Sequence, residues 1–140
     1  MATDTDRLDV RVLTPAGPVF VGSASMVFAP SRAGEVGMLP RHEPMTCTLG
    51  FGRTRVRSSD GGEEVFATSE GFLTIDRDQV LILVEQAVPV HEIDRAQAQA
   101  DLRAAEEALE SVGEDEVARN KAESEKQRAE NLLNVADLHK

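Results

Sequence analysis

The sequence predicts an α+β chain: a β-rich N-terminal unit of sandwich or barrel type, followed by an antiparallel α-helical hairpin. Three observations lead there. All 6 prolines, all 5 phenylalanines and 9 of the 10 glycines fall in residues 1–90, whereas residues 91–140 hold one glycine, no proline, no aromatic and 10 alanines. The first segment breaks into short apolar runs divided by Gly, Pro, Asp and Ser, the pattern of many short strands. The second carries apolar residues at helical spacing. The expected organisation is a β-domain over residues 1–90 and a two-helix arm over residues 91–140.

The strands are read in order. Leu8–Leu13 alternates, with Leu8, Val10 and Val12 on one face and Asp9 and Arg11 on the other, as a half-buried strand does. Val19–Val21, Ser25–Ala29 and Gly34–Leu39 are short apolar runs cut by Gly and Pro. Thr54–Arg57 leads through Ser58-Ser59-Asp60-Gly61-Gly62 into Glu63–Ser69. An Asp-Gly between β-prone runs signals a hairpin, because glycine accepts positive φ. Phe72–Ile75 and Gln79–Val84 follow, joined at Asp76-Arg77-Asp78, where the aspartates are expected to cap a tight turn rather than hold a cation. About 85 residues is small for a sandwich, so a partner surface is expected to help stabilise it.

The helices come next. Asp94 is placed to cap the first, with Gln97 completing a capping box and Ile93 stapling onto Ala98. Ala98, Leu102, Ala105, Leu109 and Val112 then form one narrow stripe, and Gly113 supplies the stop. A second helix is expected after Glu114-Asp115, its stripe formed by Ala118, Ala122, Glu125, Ala129, Leu132 and Ala136, with Val117 and Leu133 beside it. The short turn makes the two helices antiparallel neighbours.

The arm is expected to be loosely held. An alanine seam buries little apolar area, and each Å² is worth only roughly 25 cal/mol. Arg103–Glu107, Arg119–Glu123, Lys121–Glu125 and Lys126–Glu130 are i,i+4 pairs with the base first, the weaker order. Glu106, Glu107 and Glu110 crowd the C-terminal end of the first helix, where the dipole favours cations. These features suit an element that moves; composition alone fits equally a soluble helical hairpin with ordinary surface charge.

Composition excludes several functions. Hydrophobic residues make up 41% of the chain, in keeping with a globular fold. No run approaches the ~18 apolar residues of a membrane span. Asp4 and Asp6 stand where a leader would be basic. The single cysteine, Cys47, rules out an internal disulfide framework and cysteine zinc clusters. A formal net charge of -10 with no Trp or Tyr argues against nucleic acid, which needs surplus cations and stacking rings. Residues 91–140 hold 7 basic and 13 acidic residues, so -6 of that charge lies in the arm.

No catalytic constellation emerges. Cys47 and His42 lack the setting of a nucleophile and its base, and His42, His91 and His139 show no metal-ligand spacing. There is no phosphate-binding loop, and Gly50-Phe51-Gly52 and Gly61-Gly62 read as turn glycines. No catalytic residue, metal or firm cofactor is therefore expected.

Four segments, in order, carry a family resemblance. They are Leu8–Leu13 followed by Thr14-Pro15-Ala16-Gly17-Pro18-Val19-Phe20; Gly34-Glu35-Val36-Gly37-Met38-Leu39-Pro40-Arg41-His42-Glu43-Pro44-Met45; Phe66-Ala67-Thr68-Ser69-Glu70-Gly71-Phe72-Leu73-Thr74-Ile75; and Ile93-Asp94 opening an Ala-rich helix. From about Arg7 to its end the chain resembles the epsilon subunit family of F-type ATP synthases, called delta in mitochondria. The resemblance implies a ten-stranded N-terminal β-sandwich followed by a helical hairpin. It implies a non-catalytic rotor subunit of the central stalk of a proton-translocating synthase, coupling c-ring rotation to the catalytic head. The sandwich would lie between gamma and the c-ring, and the arm would extend into the alpha/beta head to restrain ATP hydrolysis. Such a subunit is peripheral, on the cytoplasmic side of the bacterial inner membrane.

Residue by residue, Gly34, Glu35 and Val36 match the loop that faces the c-ring. Arg41, His42, Glu43 and Pro44 match the gamma-facing side, and Pro40 and Pro44 stiffen that stretch. Two departures stand out. Most members have glycine and alanine where this chain has Arg41 and Glu43. Nucleotide-binding members begin the first helix I-D-x-x-R-A; here Asp94 is kept, Gln97 replaces the arginine, and Val88 stands where those members have an acid just before the motif. Asp94 is thus a weak ATP candidate and a simple helix cap. Arg119, Lys121, Lys126 and Arg128 are the arm's candidate inhibitory bases, yet Glu114–Glu130 carries six acids against these four. Steering toward an acidic target should therefore be weak, and inhibition modest. The alternative is a free-standing nucleotide-sensing or adaptor β-domain.

Overall fold

A computed structural model describes residues 7–139. The expectation of no leader falls on residues 1–6, outside the described residues. The chain divides into two compact units, one ending at Pro89 and the other beginning at Val90.

The first unit has ten strands: β1 (Leu8–Thr14), β2 (Gly17–Ala24), β3 (Met26–Ser31), β4 (Gly34–Met38), β5 (Met45–Leu49), β6 (Gly52–Arg57), β7 (Glu63–Thr68), β8 (Gly71–Asp76), β9 (Gln79–Val84) and β10 (Ala87–Pro89). Their pairing order is β10-β7-β6-β3-β5-β8-β9-β1-β2, with β4 on the free side of β3. β1 runs parallel to β9, from Asp9 opposite Gln79 to Leu13 opposite Leu83. The other pairs are antiparallel. β3 pairs with β6 through Met26–Phe28 but meets β5 only where Ser31 faces Leu49. The sheet therefore falls into two halves, β4-β3-β6-β7-β10 and β5-β8-β9-β1-β2, joined at that corner. This is the ten-stranded sandwich that the resemblance implies.

Alternation sends one set of side chains inward. Leu8, Val10 and Val12 of β1, Val27 and Ala29 of β3, Met38 of β4, Leu49 of β5, Val56 of β6, Phe66 of β7, Leu73 and Ile75 of β8, and Val80 and Ile82 of β9 are all buried in one core. β5 had no counterpart among the strands read from sequence. It follows directly on the Pro40–Pro44 stretch, and its outward positions are the threonines Thr46 and Thr48. The β8–β9 hairpin turns at Arg77 and Asp78, both with positive φ (51° and 64°), as a two-residue type I′ turn requires. Gly71 opens β8 because nothing larger fits: a Cβ there would lie 2.0 Å from the Leu83 carbonyl oxygen.

The second unit is a short 3₁₀ turn, Val90–Glu92, followed by α1 (Arg95–Ser111) and α2 (Glu116–Leu138). Asp94 caps α1, accepting from the Gln97 N–H at 3.1 Å, and Asp115 caps α2, accepting from the Ala118 N–H at 3.1 Å. The expected capping box is only half made. The Gln97 side chain instead turns forward: its Nε2–H donates to Asp101 Oδ1 at 2.8 Å, a charge-assisted bond to a carboxylate one turn on, where the box would need its Oε1 to accept from the Asp94 N–H. Gly113 takes φ +60° directly after α1's C-cap, Val112. Arg95 Nη1 meets Asp137 Oδ1 at 2.5 Å, tying the start of α1 to the end of α2 in an antiparallel hairpin. Ala98, Ala105, Ala122 and Ala129 are buried, as the stripes predict, and so is Val135. Val117, expected beside the stripe, is 81% exposed. Five residues before Ala122, it lies about 140° around the helix.

Candidate functional site

Strand direction sorts the loops into two ends. The turns after β1, β3, β5, β7 and β9 gather at one end, and those after β2, β4, β6 and β8 at the other. Glu35 is the second residue of β4, near the first end, while Arg41–Pro44 follow β4 at the second. The two sequence-predicted contact groups are close in the chain yet roughly 15 Å apart along the strand, at about 3.3 Å per residue.

Glu35 belongs to a layered cluster on the outer face of β4, β3 and β6. Gly37 faces Phe28 across β4–β3, and a Cβ on Gly37 would come within 3.3 Å of the Phe28 ring and 3.2 Å of Met26 Cε. The missing side chain lets the ring lie flat. The Arg55 guanidinium stacks 4.0 Å above that ring, and that of Arg57 lies 5.3 Å from its centre. Arg55 Nη2 approaches both Glu35 oxygens, at 3.3 and 3.5 Å, and its Nη1 lies 3.7 Å from Glu63 Oε2. Arg57 reaches the same Glu63 oxygen at 3.3 Å. The result is an alternating chain of charges, Glu35–Arg55–Glu63–Arg57, seated on one aromatic ring. Gly34 and Val36 flank Glu35 and contribute backbone to β4.

At the other end the chain is held tightly for a loop. Arg41 has φ +68°, the left-handed region that favours glycine, which explains the glycine usual in the resembled family. Its N–H donates to Asp78 Oδ1 at 2.6 Å, so the β8–β9 turn anchors the loop. Asp78 thus serves the neighbouring loop, and Asp76 pairs with Gln79 at the strand ends. His42 is half-buried, and its Nδ1–H donates to the Glu43 carbonyl at 2.7 Å. Glu43 and Pro44 are exposed. Leu39 beside them is 55% exposed.

In the arm, Asp94 and Gln97 are engaged in the cap and its neighbour. Arg119 reaches back to the Gly113 carbonyl at 2.5 Å; Lys121 is exposed, and Lys126 and Arg128 are half-buried. Among the described residues, no group of three or more His, Cys, Asp and Glu side chains could hold a metal ion. Nor is any described helix long and apolar enough to cross a membrane.

Sequence reasoning missed an exposed apolar face, the outer side of the second half-sheet. Phe72 and Leu83 sit opposite each other on β8 and β9, 58% and 44% exposed, with Leu13 beside Leu83 on β1. They line an open apolar groove of about 580 Å³, rimmed by Glu85 and by the Arg32–Glu70 ion pair. A signal was present. Leu73 and Ile75 fix the inward phase of β8, so Phe72 faces outward, where a polar residue would be expected.

These features define the class: a small β-sandwich and a helical hairpin, with an exposed apolar face, a charged cluster on β4, β3 and β6, and an anchored loop after β4. Residues 7–90 match the family model of the ATP synthase delta/epsilon chain β-sandwich domain. The ATP synthase epsilon chain of an Exiguobacterium species is 38% identical over 133 residues, 95% of this chain and 98% of that one. That of Bacillus velezensis is 39% identical over 127 residues, 91% and 95% of the two chains. A chain in the cryo-EM structure of the Euglena gracilis mitochondrial ATP synthase (OSCP/F1/c-ring) shares the fold with a TM-score of 0.79 at 22% identity, over 92% of this chain and 81% of that one. The chain belongs to the ATP synthase delta/epsilon chain family and is a non-catalytic stalk subunit.

Proposed function

We propose that this subunit couples a rotating c-ring to gamma and the catalytic head, and that its arm modestly restrains ATP hydrolysis. In this reading residues 1–90 dock and residues 91–140 regulate. Gly34, Glu35 and Val36 meet the polar loops of the c-ring. Arg41, His42, Glu43 and Pro44 meet gamma, and the apolar Phe72–Leu83 face, toward the other end of the sandwich, adds docking area of its own, since stable interfaces have apolar centres. The subunit sits peripherally on the cytoplasmic side of the bacterial inner membrane. Arg119, Lys121, Lys126 and Arg128 would face the alpha/beta head when the arm extends. Asp94 is read as a cap rather than an ATP ligand, because its carboxylate already accepts the Gln97 N–H.

The observation that supports this reading is that the Glu35 segment, at the start of β4, and the Arg41–Pro44 loop lie toward opposite ends of one sandwich, as suits a part held between two partners. Affinity purification of the tagged chain from its own membranes tests it. Gamma and c-ring subunits are expected to copurify, and Glu35→Gln is expected to weaken retention of the c-ring more than of gamma. Recovery of the chain without either partner would overturn the proposal.

A further inference from the structure

Resting on the reading that Glu35 meets the c-ring, we propose that Arg55 is the positioning residue of that contact, and that the docking element is the Glu35–Arg55 pair rather than Glu35 alone. Arg55 comes from β6, twenty residues from Glu35 in sequence, and reaches it diagonally across β3. Three contacts fix its guanidinium: the Phe28 ring beneath it, Glu63 on one nitrogen and Glu35 on another. The Arg55 side chain is only 17% exposed, against 45% for Glu35. One member of the pair is thus an anchored support and the other a presented group.

The chemistry of the pair explains why both are needed. A carboxylate offers about four acceptor sites. Here a single nitrogen approaches both Glu35 oxygens at 3.3 and 3.5 Å, distances that leave most of this capacity for an incoming donor. Covering an unpaired carboxylate with a partner surface carries a large desolvation cost. Arg55 offsets that cost from within the subunit, so the partner loop need supply only hydrogen-bond donors, from backbone amides, side-chain amides or a cation. Arg55 also aims the carboxylate. Without it, Glu35 loses the contact that selects its rotamer, and its ordering cost falls on the docking step. Arg57 shares the ring and Glu63 but lies 5.3 Å from the ring centre, which marks it as a brace for Glu63 rather than a partner of Glu35.

A double-mutant cycle tests the assignment. Full-length wild-type chain, Glu35→Gln, Arg55→Gln and the double variant are titrated onto ATP synthase stripped of this subunit, and the dissociation constant is read. Each single change is expected to weaken binding about tenfold, the worth of one charge-assisted hydrogen bond. The double variant should be no more than about twofold worse than the weaker single variant, because both remove one shared contact. Arg55→Lys, which keeps the charge but loses the fork, should recover part of the loss and also serves if Arg55→Gln fails to fold. Thermal unfolding of each variant separates docking from stability. Glu35→Gln weakening binding while Arg55→Gln and Arg55→Lys leave it unchanged would overturn the proposal and spare the Glu35 contact. Multiplicative losses in the double variant would likewise overturn it. An unchanged constant for Glu35→Gln would overturn the underlying c-ring contact itself.

Discussion

Replacing Phe72 with Ala probes the apolar face directly. The ring is 58% exposed and points away from the core. A phenylalanine side chain presents about 200 Å² when fully open, so about 115 Å² remains for a partner to cover. At roughly 25 cal/mol per Å², complete coverage is worth about 3 kcal/mol, or about 100-fold in affinity. Alanine retains a small part of that area, and a real interface covers the ring incompletely, so a loss of about 10- to 100-fold is expected. The isolated chain should barely notice, because an exposed position off the core changes stability by about 0.5 kcal/mol or less. The assay is titration of the full chain onto synthase lacking this subunit, paired with thermal unfolding of the free chain. Leu83→Ala should follow with a smaller loss, in line with its 44% exposure. Binding within twofold of wild type for both variants, with unfolding unchanged, would refute the assignment of this face to docking.

Three further outcomes are expected. Asp78→Ala removes the acceptor of the Arg41 N–H and should destabilise the chain by about 1 kcal/mol in urea unfolding; adding Arg41→Gly, which relieves the left-handed residue, should return part of it. The Ser58 hydroxyl first, and then the Gly62 N–H, hold the Asp60 carboxyl below the ordinary carboxylate range. A folded-state value lowered in this way gives stability that is present above the unfolded value and is lost as pH falls through the folded one. An NMR titration of Asp60 should show its midpoint rising toward ordinary in Ser58→Ala. Ending the chain before His91 in the assembled enzyme should leave assembly and synthesis intact while raising ATP hydrolysis; loss of assembly would contradict the division of labour between sandwich and arm.

Much of the fold was legible because each signal was local. The alternation of Leu8, Val10 and Val12, the Asp60-Gly61 turn, and the Asp94 and Gly113 helix boundaries each follow from a few neighbouring residues. Long-range facts were not legible. Nothing near Arg55 reveals that it crosses β3 to Glu35, because that meeting depends on the order β4-β3-β6. The role of Gly37 becomes plain only once Phe28 lies against it. Gln97 shows the opposite limit: the local rule named a box, and a carboxylate at i+4 won the amide instead. The left-handed Arg41 was foreshadowed only as a departure from the family's glycine, and its compensation by Asp78 is tertiary.

The parallel pairing of β1 with β9 has a consequence for how this chain is made. β1, made before the other described strands, has its place between β2 and a strand that begins at Gln79. β1 and β2 can form a hairpin early, but that hairpin has no sheet to join until almost all of the β-unit has been synthesised. Such distant pairing slows folding and leaves an open strand edge exposed in the meantime. The chain continues from Val90 to Lys140 after the last strand. Synthesis of residues 91–140 therefore overlaps the interval in which the waiting hairpin finds β9, so the segment proposed to regulate the finished enzyme also spaces the steps by which the sandwich folds.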